Sequence, residues 1–323
     1  MMARFLIRRT TFALLLILVS SSAALLLTRL APGDLTTELG PHATRAEIAA
    51  ARARFDLDRP PLDQWRLWAS RALRFDLGQS MAYGRPVAPL VARAAANSAV
   101  LGFTALLVAT VLGLSLGIFT GSSRKGVAVS VIRAASVACL SLPPLVTSLL
   151  LVFVAARTGW LPLGGMTTTA TLAPTWGAWI ADVAAHLPLP VIALALPLSA
   201  TFERLQSQAI GETLHQPFVA AATARGVSRQ SAILHHAWPV SLRAICAIYG
   251  IVIGALLSGS FVVEYVTAWP GLGRLMYDAL KARDIYLVAG CATAGASFLA
   301  VGTLIGDLLL AAVDPRVREE SAR

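Results

Sequence analysis

Charged residues are scarce in this 323-residue sequence, at 14% of the chain, against about 25% in soluble domains. Hydrophobic residues make up 56%, and the mean hydropathy is +0.69. A folded surface in water needs polar cover, so this composition excludes an ordinary soluble fold. Intrinsic disorder is excluded as well, because disordered chains are poor in apolar residues. We therefore expect an integral membrane protein.

Cysteine is also scarce, with three residues in the chain. The three cysteines lie inside apolar runs without a CxxC spacing, which excludes a disulfide framework and a cysteine metal site.

Acidic residues are fewer than basic ones, 17 against 27, and the formal net charge is +10. Basic residues commonly flank membrane spans and meet anionic lipid, so we expect membrane lipid as the partner, and no nucleic acid.

Several catalytic and nucleotide-binding motifs are missing from the sequence. It contains no GxxxxGK[ST] phosphate-binding loop and no HExxH. The neighbours His235 and His236 would point about 100° apart on a helix, so they would not face one metal ion. We expect no catalytic residue, no metal site and no cofactor bound by this chain itself.

Six apolar runs predict membrane-spanning helices, since about 20 helical residues cross roughly 30 Å of hydrocarbon. Strand-type alternation is absent, which favours an all-α fold over a β-barrel. The prolines within the runs favour a packed bundle, where neighbouring helices satisfy the freed backbone groups. The predicted spans are about Thr11–Leu30, Ala99–Thr120, Val129–Ala156, Leu187–Phe202, Ala244–Val263 and Val288–Val313.

The distribution of basic residues predicts the orientation. Arg4, Arg8 and Arg9 precede the first run, which we interpret as an uncleaved helix with its N-terminus in the cytoplasm. An even number of spans then brings the C-terminus to the same side. The chain divides into residues 1–96, an N-terminal helix and a long extracytoplasmic loop; residues 97–315, a five-helix core; and residues 316–323, a cytoplasmic tail.

The cytoplasmic loop over residues 203–243 holds the most informative segment. Phe218 to Gly226 predicts an alanine-rich helix that Gly226 ends, since glycine readily adopts a left-handed conformation. Ser228 would cap the next helix. We call residues 212–239 the elbow. Its small apolar residues suit the docking of a partner.

One carboxylate lies inside a predicted span. Asp307 is a functional candidate by default, because ionisable residues within the bilayer are costly. The alternative is a structural role near the cytoplasmic end of the helix, where Asp307 would cap or pair.

The elbow contains Ala220-Ala221-Ala222, then Gly226, then His236-Ala237-Trp238-Pro239. This pattern resembles the EAA motif of binding-protein-dependent ABC importer permeases, with Ala220 at the position of the Glu. Other segments resemble, in order, the B-type dipeptide, oligopeptide and nickel permeases. They are Leu30-Ala31-Pro32-Gly33-Asp34, Phe55-Asp56-Leu57-Asp58-Arg59-Pro60, Asp76-Leu77-Gly78, Arg85-Pro86-Val87, Ser141-Leu142-Pro143, Trp160-Leu161-Pro162, Ala268-Trp269-Pro270-Gly271-Leu272-Gly273-Arg274 and Asp314-Pro315-Arg316.

The resemblance implies a type I ABC importer permease with six transmembrane helices in the bacterial inner membrane. A second homologous permease subunit would complete the translocation path, and an extracytoplasmic solute-binding protein would deliver the solute. Two cytoplasmic ATPases would bind ATP and Mg and dock on the elbows. The implied coupling residues are Ala220, Ala221, Ala222, Arg225, Gly226, His236 and Pro239.

The resemblance is less specific about the transported solute than about the fold. It favours di- or oligopeptides, with nickel or another small solute as the alternative. It identifies no substrate-binding residues. A secondary transporter, the remaining reading, would need several carboxylates at mid-bilayer, and Asp307 alone is available.

Overall fold

A computed structural model describes residues 2–31, 44–123, 125–168 and 175–313. The described residues are helical apart from loops and one isolated bridge between Gln79 and Pro86, so the all-α prediction is confirmed. The elements are α1 (Met2–Leu30), α2 (Arg45–Arg54), α3 (Pro61–Ala72), α4 (Val87–Ser122), α5 (Val127–Ser141), α6 (Pro144–Thr158), α7 (Trp176–His186), α8 (Pro188–Thr213), α9 (Pro217–Ala224), α10 (Arg229–Ser231), a π-helix (Ala232–Ala237), α11 (Trp238–Val266), α12 (Leu272–Lys281) and α13 (Ile285–Val313).

The described residues contain five helices long and apolar enough to cross a membrane, or six spans if one bent pair counts as a span. That pair corresponds to the predicted third span, Val129–Ala156, which breaks into two helices at its paired prolines. α5 and α6 meet at an angle of 106°. The reason is Pro143-Pro144: Pro143 is extended, with a ψ of 145°, because a residue before proline avoids the α conformation.

The predicted fourth span ends too early at Phe202, since α8 continues to Thr213. Hydropathy falls after Phe202, where Glu203 and Gln206 begin a polar stretch. Both side chains are nevertheless buried, at 1% and 0% exposure. The helix continues because these polar residues face neighbouring helices rather than water.

The described residues within Met1–Leu6, Val100–Trp269 and Val301–Arg323 form the larger of two compact units. Within it, α8 packs against α5, α6, α7 and α11. Leu101, Phe202, Ile245 and Trp269 are among its buried core residues. The Phe202 ring stacks on Tyr249 with the ring centroids 5.6 Å apart, so α8 and α11 share aromatic as well as aliphatic packing.

Glycines of α4 allow a close approach of α8. A Cβ atom at Gly117 would lie 2.6 Å from Cβ of Gln206, and one at Gly121 would lie 2.5 Å from the carbonyl oxygen of Ser207. Only glycine fits at such separations. Small residues that let helix backbones approach are typical of packing within membranes.

The smaller unit comprises Ile7–Ala99 and Pro270–Ala300. The boundary predicted at residue 96 divides the chain into consecutive segments, whereas the structure groups residues 270–300 with the N-terminal residues.

A buried carboxylate helps to hold this smaller unit together. Asp284 accepts hydrogen bonds from Ser80 Oγ (2.6 Å) and from the backbone N–H groups of Ala82 and Leu287 (both 3.1 Å). The predicted tail, 316–323, lies outside the described residues.

Two of the family-like motifs pair with each other in the smaller unit. The N–H of Val87 donates to the carbonyl of Gly78 at 2.9 Å, which joins Asp76-Leu77-Gly78 to Arg85-Pro86-Val87. The resulting hairpin spans residues 78–87. By contrast, most of Leu30-Ala31-Pro32-Gly33-Asp34 and all of Asp314-Pro315-Arg316 lie outside the described residues.

Replacing Gly121 by Ala should lower the stability of the purified protein by about 1–3 kcal/mol, because the added methyl group overpacks the contact between α4 and α8. Thermal unfolding in detergent measures the effect. Gly295→Ala is the matched control, since a Cβ atom on that helical glycine meets nothing within 4 Å. Equal melting temperatures for the two variants would contradict the close packing.

Candidate functional site

The first arm of the elbow ends at a glycine that its backbone conformation requires. α9 stops at Ala224, and Gly226 follows with a φ of +90°. The N–H of Gly226 donates to the carbonyl of Thr223 at 3.0 Å, and that of Val227 donates to Ala222 at 3.2 Å. These two bonds form a Schellman motif with glycine at the left-handed C′ position. The glycine break expected from the sequence is therefore present.

The second arm of the elbow begins with the cap expected at Ser228. Ser228 Oγ accepts a hydrogen bond from the N–H of Ser231 at 3.3 Å, so the expected cap is present. From Arg229 onward the chain runs as one helix through Gly254, so the helix that follows the cap leads directly into the next span.

A widened turn joins this arm to α11. Residues Ala232–Ala237 form a π-helix. Pro239 in an ordinary α-helix would collide with the carbonyl of His235 and could not donate to it. A wider turn relieves that conflict, and π turns of this kind often occur at functional sites.

The elbow has one buried face and one exposed face. Small and branched residues pack inward; they are Val219, Ala222, Ala232, Ile233 and Ala237. Phe218 and Leu234 point outward, and each is 44% exposed. Two large apolar side chains on a short surface segment are typical of a site that a partner covers.

The residues of the EAA-like pattern fall on both faces. Four of them are exposed: Ala220, Ala221, Arg225 and Pro239. By contrast, Ala222 is buried and His236 is half-buried. The Arg225 side chain donates from Nε to the carbonyl of Ala221 at 3.2 Å, across the end of α9. Exposed Ala220 presents a methyl group where the family pattern presents a carboxylate.

Asp307 lies away from the elbow in sequence, half-buried within α13. Its neighbour Gly306 packs on the backbone of Gly250 in α11, where an added Cβ atom would lie 2.6 Å from the Gly250 nitrogen. The role of Asp307 stays a prediction.

Hydrogen bonds connect the elbow to the helices of the larger unit. Arg229 donates to the carbonyl of Ser122, at the end of α4, at 2.8 Å. Both residues line a cavity of about 340 Å³, whose walls also include Leu214, Val219 and Ala220. The end of α4 is thus tied to the first turn of the second arm.

Two buried polar residues extend these connections into the helices. Glu203 Oε1 accepts a hydrogen bond from Thr120 of α4, and Gln206 Nε2 donates to Ser241 Oγ of α11 at 2.7 Å. Oε2 of Glu203 has no hydrogen-bond partner among the described residues, and the side chain borders a cavity of about 590 Å³. Sequence reasoning missed this junction, because it assigned Glu203 to a solvated loop; polar residues at helical spacing directly after an apolar run were the available signal.

Among residues 2–31, 44–123, 125–168 and 175–313, no group of three or more His, Cys, Asp or Glu side chains is placed to hold a metal ion.

The comparison with protein families decides what kind of membrane protein this is. Residues 110–319 match the family described as the binding-protein-dependent transport system inner membrane component. The chain belongs to this family. It is a membrane permease component, as the sequence resemblance implied, and the matched range contains the whole elbow.

Relatives of known designation match nearly the whole permease. The oligopeptide transport system permease protein of Mycobacterium bovis is 30% identical over 98% of this chain and 99% of its own length. That of Bacillus subtilis is 28% identical over 98% and 99%. The glutathione transport system permease protein of Escherichia coli O6:H1 is 30% identical over 91% and 92%.

Replacing Gly226 by Val should leave the permease folded and inserted but reduce solute uptake at least tenfold or uncouple it from ATP hydrolysis. A Cβ atom there meets nothing within 4 Å, so the cost is conformational: roughly 1 kcal/mol for Ala and more for a β-branched residue. The chain then favours a continuous helix that misdirects the two arms. Uptake and ATPase activity of the reconstituted complex measure the effect, and Gly226→Ala should be milder.

Gly159→Val is the matched control for this prediction. Gly159 also ends a helix in the left-handed conformation, with a φ of +67° and open space around its Cβ position. Its replacement should leave coupling intact. Wild-type coupling in Gly226→Val would show that the glycine is only a flexible loop residue.

Proposed function

We propose that this chain is the permease subunit of an ATP-driven importer that takes up di- or oligopeptides. The observation that carries the proposal is the match, over 98% of the chain, to permeases designated as oligopeptide transport components. The elbow supports it, because an importer of this kind needs a surface on which an ATPase can act.

The importer would contain partners of three kinds. A second homologous permease would complete the path, two cytoplasmic ATPases would bind ATP and Mg, and an extracytoplasmic protein would deliver the peptide. The family description names binding-protein dependence, and the sequence contains no phosphate-binding loop. ATP hydrolysis is therefore assigned to the partners.

The location follows from the same reasoning. The chain would lie in the bacterial inner membrane with both termini in the cytoplasm. The basic residues before the first span support this orientation. The elbow then faces the cytoplasm, where the ATPases are.

Coupling would proceed through the two arms of the elbow. An ATPase docked over Phe218, Ala221 and Leu234 would push the elbow when it closes around ATP. Since the second arm is continuous with α11, the displacement would reach that span without a flexible joint. The hydrogen bond from Arg229 to Ser122 would carry the same displacement to α4.

Reconstitution in liposomes tests the proposed function. The purified chain alone should hydrolyse no ATP and accumulate no solute, because it lacks the nucleotide site and half of the path. The full set of subunits should take up labelled dipeptides in an ATP-dependent manner, with excess unlabelled dipeptide, but not nickel chelate, competing. Solute accumulation by the chain alone would instead support a secondary transporter, and competition by nickel chelate alone would support the metal importer.

A further inference from the structure

The smaller unit contains a cavity of about 570 Å³ that the coupling function leaves unexplained. Its walls come from the 78–87 hairpin, the beginning of α4 and the beginning of α12. Two of the family-like motifs, Arg85-Pro86-Val87 and the segment ending in Arg274, meet there although they are far apart in sequence. The volume lies within the range of small-ligand pockets, about 300–1,000 Å³.

The charged side chains of this cavity are mostly positive. Arg85, Arg93 and Arg274 line it together with a single carboxylate, Asp278. Within the part of the chain that the structure describes, the side chains of Arg85 and Arg93 make no hydrogen bond or ion pair. Planar guanidinium groups match the geometry of a carboxylate and bind it through two parallel hydrogen bonds.

Two helix N-termini add to the positive potential. α4 begins at Val87 and α12 begins at Leu272, and residues at both beginnings line the cavity. The first turn of a helix carries a partial positive charge, which favours anions. The arginines and the helix N-termini thus both make the electrostatic potential in the cavity more positive.

The remaining walls are apolar or hydrogen-bonding. Pro86, Pro89, Leu90 and Leu275 supply aliphatic surface, and Tyr83 supplies a hydroxyl group. Burial, and then the charge of Asp278, raise the pKa of Tyr83, while Arg274 opposes the rise. The hydroxyl group therefore stays protonated at neutral pH and can donate a hydrogen bond.

We propose that this cavity binds the terminal carboxylate of the transported peptide, with the adjoining side chain against the aliphatic wall. The inference rests on the proposed import of peptides and names the group that the permease recognises. Asp278 supplies an opposite charge for the ammonium group of a zwitterionic dipeptide. A concave cavity with an aliphatic wall suits an enclosed small ligand better than a flat protein surface does.

The test uses the permease and ATPase subunits in nanodiscs, without the binding protein. Leucyl-leucine and its C-terminal amide serve as probes, with binding measured by calorimetry. The free acid should bind about tenfold more tightly or better, since hydrogen bonds between charged groups exceed neutral ones. Arg93→Gln should lower the affinity for the acid to that for the amide, and Arg93→Lys should restore part of the difference.

Two further variants keep the test decisive. Arg85→Gln should repeat the effect of Arg93→Gln if the latter fails to assemble. Arg74→Gln is the matched control, because Arg74 is exposed in the same unit but does not line the cavity. It should retain the wild-type preference.

Equal affinities of the wild type for acid and amide would overturn the inference. A second result would also overturn it. If Arg93→Gln weakened binding of the ligand-free binding protein to the permease while the preference for the acid persisted, the arginines would serve protein docking instead. Failure of the inference stays distinguishable from failure of the proposed function: in the first case the wild-type importer still accumulates dipeptides, and in the second it accumulates none.

Discussion

The backbone conformation of Gly226 is the constraint on which the proposed coupling depends. With a φ of +90° it ends α9 and lets the next helix start at a new angle. The two backbone bonds of the Schellman motif, the Ser228 cap and the buried alanines of both arms fix that angle.

Local chemistry explains why the glycine break could be predicted from the sequence. A glycine after an alanine-rich segment, followed two residues later by serine, carries its structural meaning within a few residues. The paired prolines at 143 and 144 carry a similar local signal, yet hydropathy alone joined their flanks into one span. In that case apolar composition was given more weight than backbone geometry.

Nonlocal contacts could not be predicted in this way. The burial of Glu203 and Gln206 depends on Thr120 and Ser241, which lie on other helices. The hydrogen bond from Arg229 to Ser122 joins residues 107 positions apart. The meeting of Arg85 and Arg274 around one cavity likewise requires the fold. Single-sequence patterns report which faces are apolar, not which partner each face meets.

The proposed coupling requires the second arm of the elbow and the end of α4 to move together during transport. Cysteines placed at Ser122 and Arg229, in a chain whose native cysteines are replaced by serine, can be joined by a short thiol crosslinker. ATP-driven uptake by the reconstituted importer should continue with the crosslink in place. Loss of uptake on crosslinking, with wild-type uptake in the same double variant before crosslinking, would contradict the claim.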